Sequence, residues 1–580
     1  MEKALLLTEP AGLSEAGKLL AQGLDFFGVS ASQLTLGEFL AGGDAGDDNS
    51  KFRLLCSAGT FLKLVVALEK KAGGIRFWQK NVHSAFVYAA GDSLALEKVA
   101  AQITGDKVSL VQTNQAAEWR VTDRFPEFCK SMGGIRVTST ANVPEKGFVF
   151  DEAKADAVNL ISSGRNVAFV KLAHQTVPVF LSTAASIIDI QAGLAGRDFD
   201  IRQNFFTATP LVMYVKWAFA RTVWQPSETG ACLVIDDPLL KPRYGFLNFQ
   251  HLLDLMRRHN FSTSIAFIPW NWWRSAAKIV RLFKENPARL SLSIHGCDHT
   301  GGEFGIQNRE RLAWKSKQAT QRMTRHQSKT GLAHDAVMVF PQGVFSEAAM
   351  GVLKHGDFIG VVNSEVISTD PKPRPIRISD FWNVAVMNYS SFPIFTRRYP
   401  SHGVENFAFD ILLGKPCIVV IHHNDCHDRC RPLVEFIDRL NALNAPLSWR
   451  NLAEVIRRSF RQRELSPGVV EIEMYGTELR VDNPSGQRKR FCIRKQESAP
   501  STIAEIRAES QPIAWTVLQN QVAFEIELDS GESKTIRITF TRLPEKGFKA
   551  ENLRYKAKAM LRRYFSEVRD NYVTRKPFST

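Results

Sequence analysis

At 580 residues the chain exceeds what one ordinary core supports, and its 44% hydrophobic and 23% charged residues exclude extensive disorder. A formal charge of +15 suits a partner bearing phosphate or carboxylate, although a dispersed excess chiefly keeps a protein soluble. No uninterrupted apolar run reaches the roughly 18 residues of a membrane-spanning helix, which excludes that class.

The opening "MEKALLLTEPAG" has an apolar run too short for a signal peptide. The eight cysteines follow no regular spacing, as expected of reduced thiols. A cytoplasmic location is the expectation.

From residue 1 to 225, short apolar runs alternate with amphipathic ones: "KALLLT", "SEAGKLLAQGLDFFG", "FRLLCS", "GTFLKLVVALEKK", "SAFVYAA", "DSLALEKVAAQITG" and "KVSLVQ". The rhythm predicts a Rossmann-like α/β domain of crossover units that continues through "NVAFVKL" and "VPVFLSTA". Neither glycine-rich phosphate-binding fingerprint occurs, so its ligand is open, and "LAGGDAGDDNS" reads as a surface loop.

"VWQPSETG" (223–230) reads as a linker. A second α/β series spans 228–460, with strands expected at "ACLVID", "TSIAFI", "LSLSIH", "AVMVFP", "FIGVVN", "NVAVMN" and "PCIVVIH". Seven such runs with helical stretches between them predict a seven-stranded (β/α) barrel, one strand short of the commonest kind. From 466 to 543 the alternating runs "VVEIEMYG", "TELRVDN", "KRFCIRK", "VAFEIEL" and "KTIRITF" predict a β-sandwich. The stretch 544–580 is a basic, helical tail rich in Lys546, Lys549, Arg554, Lys556, Lys558, Arg562, Arg563, Arg569, Arg575 and Lys576, suited to an anionic polymer or a membrane surface.

In parallel α/β barrels, reactive groups collect where strands end. The first strand of the second series ends in Asp236 and Asp237, and the third in His295, with His299 in its loop. The fourth ends before Pro341, Gln342 and Gly343, and the last in His422 and His423. Any one of these could be a cap or a turn. Four in register point to a shared site.

The ordered motifs "VIDDP", "HGCDH", "VFPQG" and "VVIHHND" resemble those of the polysaccharide deacetylases, the chitin-deacetylase-like carbohydrate esterases, over about residues 228–460. That resemblance implies Asp237, His295 and His299 as metal ligands, Asp236 as catalytic base, and His422 or His423 as the acid for the leaving amine, with His422 preferred because it directly follows the strand. A carboxylate and two imidazoles suit Zn²⁺ and leave positions for water and substrate. A backbone N–H of the Gln342-Gly343 loop is the candidate oxyanion donor.

Two departures stand out. Val339 and Gln342 stand where the family has an arginine that steadies the base and an aromatic, which implies weaker activity, another substrate or a replacement arginine from elsewhere, and Pro238 replaces the more usual glycine. Trp270, Trp272 and Trp273 in "PWNWWRS" are candidates for stacking on a sugar ring, or equally for interdomain packing. "HHNDCHDRC" also admits a closed zinc site built from Cys426, His427 and Cys430 with His422 or His423, but its cysteine spacing fits that poorly.

The leading expectation is a metal-dependent hydrolase that deacetylates an N-acetylated sugar or polysaccharide. The alternatives are a glycoside hydrolase of the same barrel type, for which the adjacent Asp236 and Asp237 are badly placed, and a noncatalytic carbohydrate-binding or assembly protein. No G-x-S-x-G elbow signals a serine hydrolase. Nucleic-acid binding has only diffuse basicity behind it.

Overall fold

Strands covered on both faces read as unbroken apolar runs, which is why "ACLVID" and "CIVVIH" show no alternation. The computed structural model describes residues 2–42, 51–113, 117–138, 140, 145–151, 157–543 and 553–573. The fold is mixed α/β. It divides into two compact units, Met1–Ala192 with Asp200–Trp224, and Gly193–Phe199 with Gln225–Thr580.

In the first unit, Lys3–Thr8, Ala31–Thr35, Phe52–Ser57 and Val82–Tyr88 form a parallel sheet. Side chains of Ser14, Ser57 and Asp92 accept from the first-turn amides of Glu15–Phe26, Ala58–Lys70 and Ser93–Thr104, starting these helices where the pattern switches period; the first two serve parallel crossovers, and the third leads to Val108–Gln112, which pairs antiparallel with Lys146–Phe150. The crossover rhythm ends there. Asn166–His174 and Val177–Ser182, expected to continue it, form an antiparallel hairpin whose second arm adds to Val82–Tyr88. The hairpin turns at Gln175 and Thr176, both at positive φ, a two-residue connection no helix could fill. Most of "LAGGDAGDDNS" lies outside the described residues.

The second unit is built on parallel strands labelled here β1 (Thr229–Asp236), β2 (Thr263–Phe267), β3 (Leu290–His295), β4 (Val337–Val339), β5 (Gly360–Asn363), β6 (Ile394–Thr396), β7 (Cys417–His422) and β8 (Leu447–Trp449). Their order is β6-β5-β4-β3-β2-β1-β7, with β8 pairing the start of β1. The sheet is curled. Just past β6, Arg398 bridges Val419 of β7, its N–H donating to Ile418 O at 3.0 Å, so the two edges meet.

Register brings the strand ends level: Asp236 pairs with Ala266 and His422, His295 with Val339, and Asn363 with Thr396. Two expectations change here. "NVAVMN" is not a strand, because after the helix Ile378–Trp382 only Val386 makes a single bridge, to Ile394, and β6 lies several residues later. β8 was not anticipated, and at three half-buried residues its signal is weak.

After the barrel-like sheet, two largely antiparallel sheets enclose one apolar cluster that includes Ile472, Phe491, Phe524, Ile536 and Phe540. The "linker" residues Gln225–Pro226 pair with Arg461 and Gln462 at one edge. The tail helix α1 (Leu553–Val568) follows, ending in a wide turn at Arg569–Val573. Lys546, Lys549, Arg575 and Lys576 lie outside the described residues.

A buried cluster ties the antiparallel sheets to the parallel one. Glu497, fully buried, pairs with Lys354 and lies 3.8 Å from Lys495, and both lysines are buried too. Glu497→Gln would leave two buried ammonium groups without an anion, at a cost of about 3–5 kcal/mol. Urea unfolding of the variant should show that loss.

Candidate metal centre

The rim of β1 and β3 carries the centre. Asp237 follows β1 at φ +81°, outside the conformations an aspartate adopts easily, and this turns its carboxylate across the strand ends. Its Oδ1 lies 3.4 Å from His295 Nε2 and 3.1 Å from His299 Nε2. Among the described residues these three form the one cluster able to hold an ion, their ligand atoms all within 4.8 Å of one another. Ligands about 2.1 Å from a tetrahedral zinc stand about 3.4 Å apart, which matches.

The donors surround a point rather than bond one another. Asp237 Oδ1 is buried yet receives no well-formed hydrogen bond, although both Nε2 atoms lie within 3.4 Å. A buried carboxylate oxygen left in this state fits a cation ligand. His295 Nδ1 lies 3.0 Å from Val339 O, so it carries the proton and presents Nε2 as a lone pair.

The His295-to-His299 loop is held by a carboxylate clamp. Glu303 accepts the N–H groups of Cys297, Asp298 and His299 at 2.8, 3.1 and 3.0 Å. Asp298 in turn binds Lys315 at 3.1 Å and Arg322 at 2.6 Å, both on the helix Arg309–Thr330. Gly296 sits at φ +61°, where a Cβ would stand 2.3 Å from Glu303 Oε1 and 2.4 Å from Pro341 Cγ. The glycine is required twice over, by conformation and by space.

Asp236 is buried and gripped by Arg397, Nη1 and Nη2 each 2.7 Å from one carboxylate oxygen. Burial pushes this carboxyl upward, but the Arg397 guanidinium and then His295 outweigh it and hold it below its usual range. Arg397 was not singled out in the sequence. The strand expected at "NVAVMN" hid it, since Arg397 directly follows the true sixth strand. It reaches Asp236 from the end of β6, two strands round from Val339.

His422 lines the same cavity as Asp236, with Tyr399 stacked parallel to its ring at 6.2 Å. His423 turns away, edge-on to Tyr244 and 3.6 Å from Asp570. Gln342, at φ +59°, and Gly343 line the cavity, while Pro341 is buried against Gly296. The Gly343 N–H donates to Phe340 O at 3.2 Å, so that amide is committed to its own turn.

Trp270, Trp272 and Trp273 do not line this cavity. They border a second one, of about 460 Å³, together with Tyr555 and Lys556. Trp270 meets Tyr564 of α1 edge-on, and Arg274 lies over Tyr564 at 4.7 Å. Cys426 and Cys430 are buried neighbours in their own loop, and no described cluster of ligands includes them.

The tail completes the walls. Arg562, Arg563, Ser566, Arg569 and Asp570 line the metal-centre cavity. Tyr244 donates to Asp570 at 2.8 Å, and the Gly245 N–H to Asn571 at 2.9 Å. Nothing local in the sequence signals this placement, since the contacts span more than three hundred residues.

No family model matches the chain. No curated protein matches it either. Solved structures that do match include a family 4 carbohydrate esterase pseudoenzyme from Bacillus anthracis (10% identity, TM-score 0.26), over 40% of this chain and 66% of that one, just under two thirds of its length. Others are a peptidoglycan N-acetylglucosamine deacetylase (14%, TM-score 0.24, 39% and 88%) and a family 4 acetyl xylan esterase from Clostridium thermocellum with a cobalt ion (13%, TM-score 0.23, 39% and 89%). At these scores the likeness carries no weight of its own, and the residues of the site carry the functional reading.

Two outcomes follow from the centre. Burial lowers His295, but the charge of Asp236 and the contact with Asp237 outweigh it and raise the group above its ordinary 6.5. In metal-free protein this histidine therefore adds stability below about pH 6.5 and loses it as pH rises through the raised value. Zinc needs the neutral ring, so its affinity should climb over the same window. Urea midpoints of the metal-free chain and competition titrations with zinc across that range should show the opposite slopes. Gly296→Ala should cost about 2–4 kcal/mol in urea unfolding and weaken zinc uptake.

Proposed function

We propose that the chain is a metal-dependent hydrolase that removes an acyl group, acetyl in the simplest case, from an acylated amino sugar. The observation that carries this is the convergence of Asp237, His295 and His299 around a buried, unbonded carboxylate oxygen, with a second carboxylate and a third imidazole on the same rim.

A divalent cation held there, zinc being well suited to the N₂O donor set, supplies Lewis acidity to the acyl carbonyl and acidifies a water. Asp236 is the group that takes the water's proton. Arg397 keeps that carboxylate ionised and fixes its plane, and each oxygen keeps a lone pair free to accept. Proton transfer by a positioned group of this kind is worth about 10²–10⁴ in rate.

His422 stands beside Asp236 as its register partner on β7 and lines the same cavity. It is placed to protonate the departing amine, while stacking on Tyr399 limits its rotation. His423 is occupied by Tyr244 and Asp570 and takes no part.

A glycosidase needs carboxylates about 5–9.5 Å apart across a bond, whereas here one acid of the pair is tied to Arg397 and the other to two imidazoles. A noncatalytic binder is the reading to test against, because it would share the geometry.

The test is zinc-loaded full-length protein with an N-acetylated amino sugar, assayed for acetate and for bound metal. Wild type should release acetate with about one metal per chain. Asp237→Ala should lose the metal and the activity, and Asp236→Asn should keep the metal but fall about 10²–10⁴-fold in kcat. Metal bound with no acetate released from any acylated amino sugar would leave the binder.

A further inference from the structure

Outside the triad, where Asp237 faces two imidazoles, the charges lining the cavity cancel in pairs, with two exceptions. Asp236 is taken by Arg397, and Asp570 by Arg569 at 2.8 Å. Glu365 lies 3.4 Å from Arg197. Among the described residues, Arg562 and Arg563 of α1 have no carboxylate within ion-pair distance.

Arg563 is 7% exposed, and its Nε is buried without a hydrogen-bond partner. Its Nη2 touches only His299, 3.3 Å from Nδ1 and 3.4 Å from the carbonyl. Both contacts are long and Nε has none, so a buried guanidinium faces the cavity with most of its donors unspent. Unpaired buried charge is costly, and a guanidinium fork matches phosphate oxygens. Arg562 stands beside it across the Gly301 turn.

The cavity is also small, about 350 Å³, at the low end for a ligand pocket and closed on one side by the tail. It suits one sugar rather than a threaded polymer.

We propose that the cavity takes a single acylated amino sugar carrying a phosphate group, with Arg562 and Arg563 as the anion-recognising pair next to the metal triad. The inference rests on the hydrolase reading and narrows its substrate class. Phosphate is the shared chemistry, whether the ester is soluble or borne by a lipid.

Calorimetric titration of the zinc-loaded full chain tests it, using His422→Gln protein so that no probe is consumed while the Asp236–Arg397 pair stays intact. The probes are N-acetylglucosamine, its 1-phosphate, and a short-chain prenyl phosphodiester of the same sugar. At least one phosphorylated sugar should bind tenfold or more tightly than the neutral one, with an affinity that falls as salt rises. The tighter of the two identifies a soluble or lipid-borne source.

In Arg562→Gln/Arg563→Gln protein that preference should vanish while zinc content stays unchanged. Equal affinity for neutral and phosphorylated sugars in the parent protein overturns the proposal, and this arm needs no tail variant to fold. So does a phosphate preference that survives the double substitution. Failure of the hydrolase reading looks different: no zinc bound, or no acetate released by wild type from neutral or phosphorylated sugar alike.

Discussion

A carboxylate oxygen packed against two imidazole nitrogens, yet bonded to neither, sets the terms for the rest of the second unit. Without a cation such an arrangement is costly wherever the imidazoles are neutral, because Asp237 Oδ1 is shielded from water and receives no aligned donor. The surrounding structure bears that cost through a strained φ at Asp237, another at His299, and a glycine that cannot be replaced between them. Strain of this kind persists only where neighbouring groups over-determine the backbone. Here the Glu303 carboxylate does so, by collecting three consecutive amides.

Support then runs outward in layers. His295 is aimed by the Val339 carbonyl, Asp298 is locked by Lys315 and Arg322, and Tyr555 from α1 closes over the same ion pair, 2.8 Å from Lys315. The helix that buries Lys315 thus steadies the metal loop and receives the tail. Glu567 continues the docking by pairing with Lys241 and Arg274. Removing one layer therefore loosens the next.

Much of the site was legible because strand ends are legible. Asp236, Asp237, His295, His299 and His422 each follow a buried apolar run, and in a parallel sheet register alone brings such positions level. Arg397 was not, because "NVAVMN" carries a better strand pattern than the three-residue β6 and drew the reading away. The first unit misled in the same way: apolar runs at 166–182 look alike whether a crossover or a hairpin joins them. The tryptophans show a further limit. Their sequence places them in the loop after β2, but only the packing of α1 decides that Trp270 meets Tyr564 and that all three border the second cavity and not the one at Asp237. The role of Arg562 and Arg563 depends on contacts hundreds of residues away, which no local pattern encodes.

The pairing of Arg397 with Asp236 has a wider bearing. The resemblance in motif order led one to look for a guanidinium beside Val339, on β4, and the chain instead supplies it from the end of β6. Around a curled parallel sheet the strand termini act as interchangeable stations, so a cation can migrate from one to another while the acid it serves sees the same two nitrogens. The grip on a carboxylate is thus a property of the rim as a whole, and no single strand owns it.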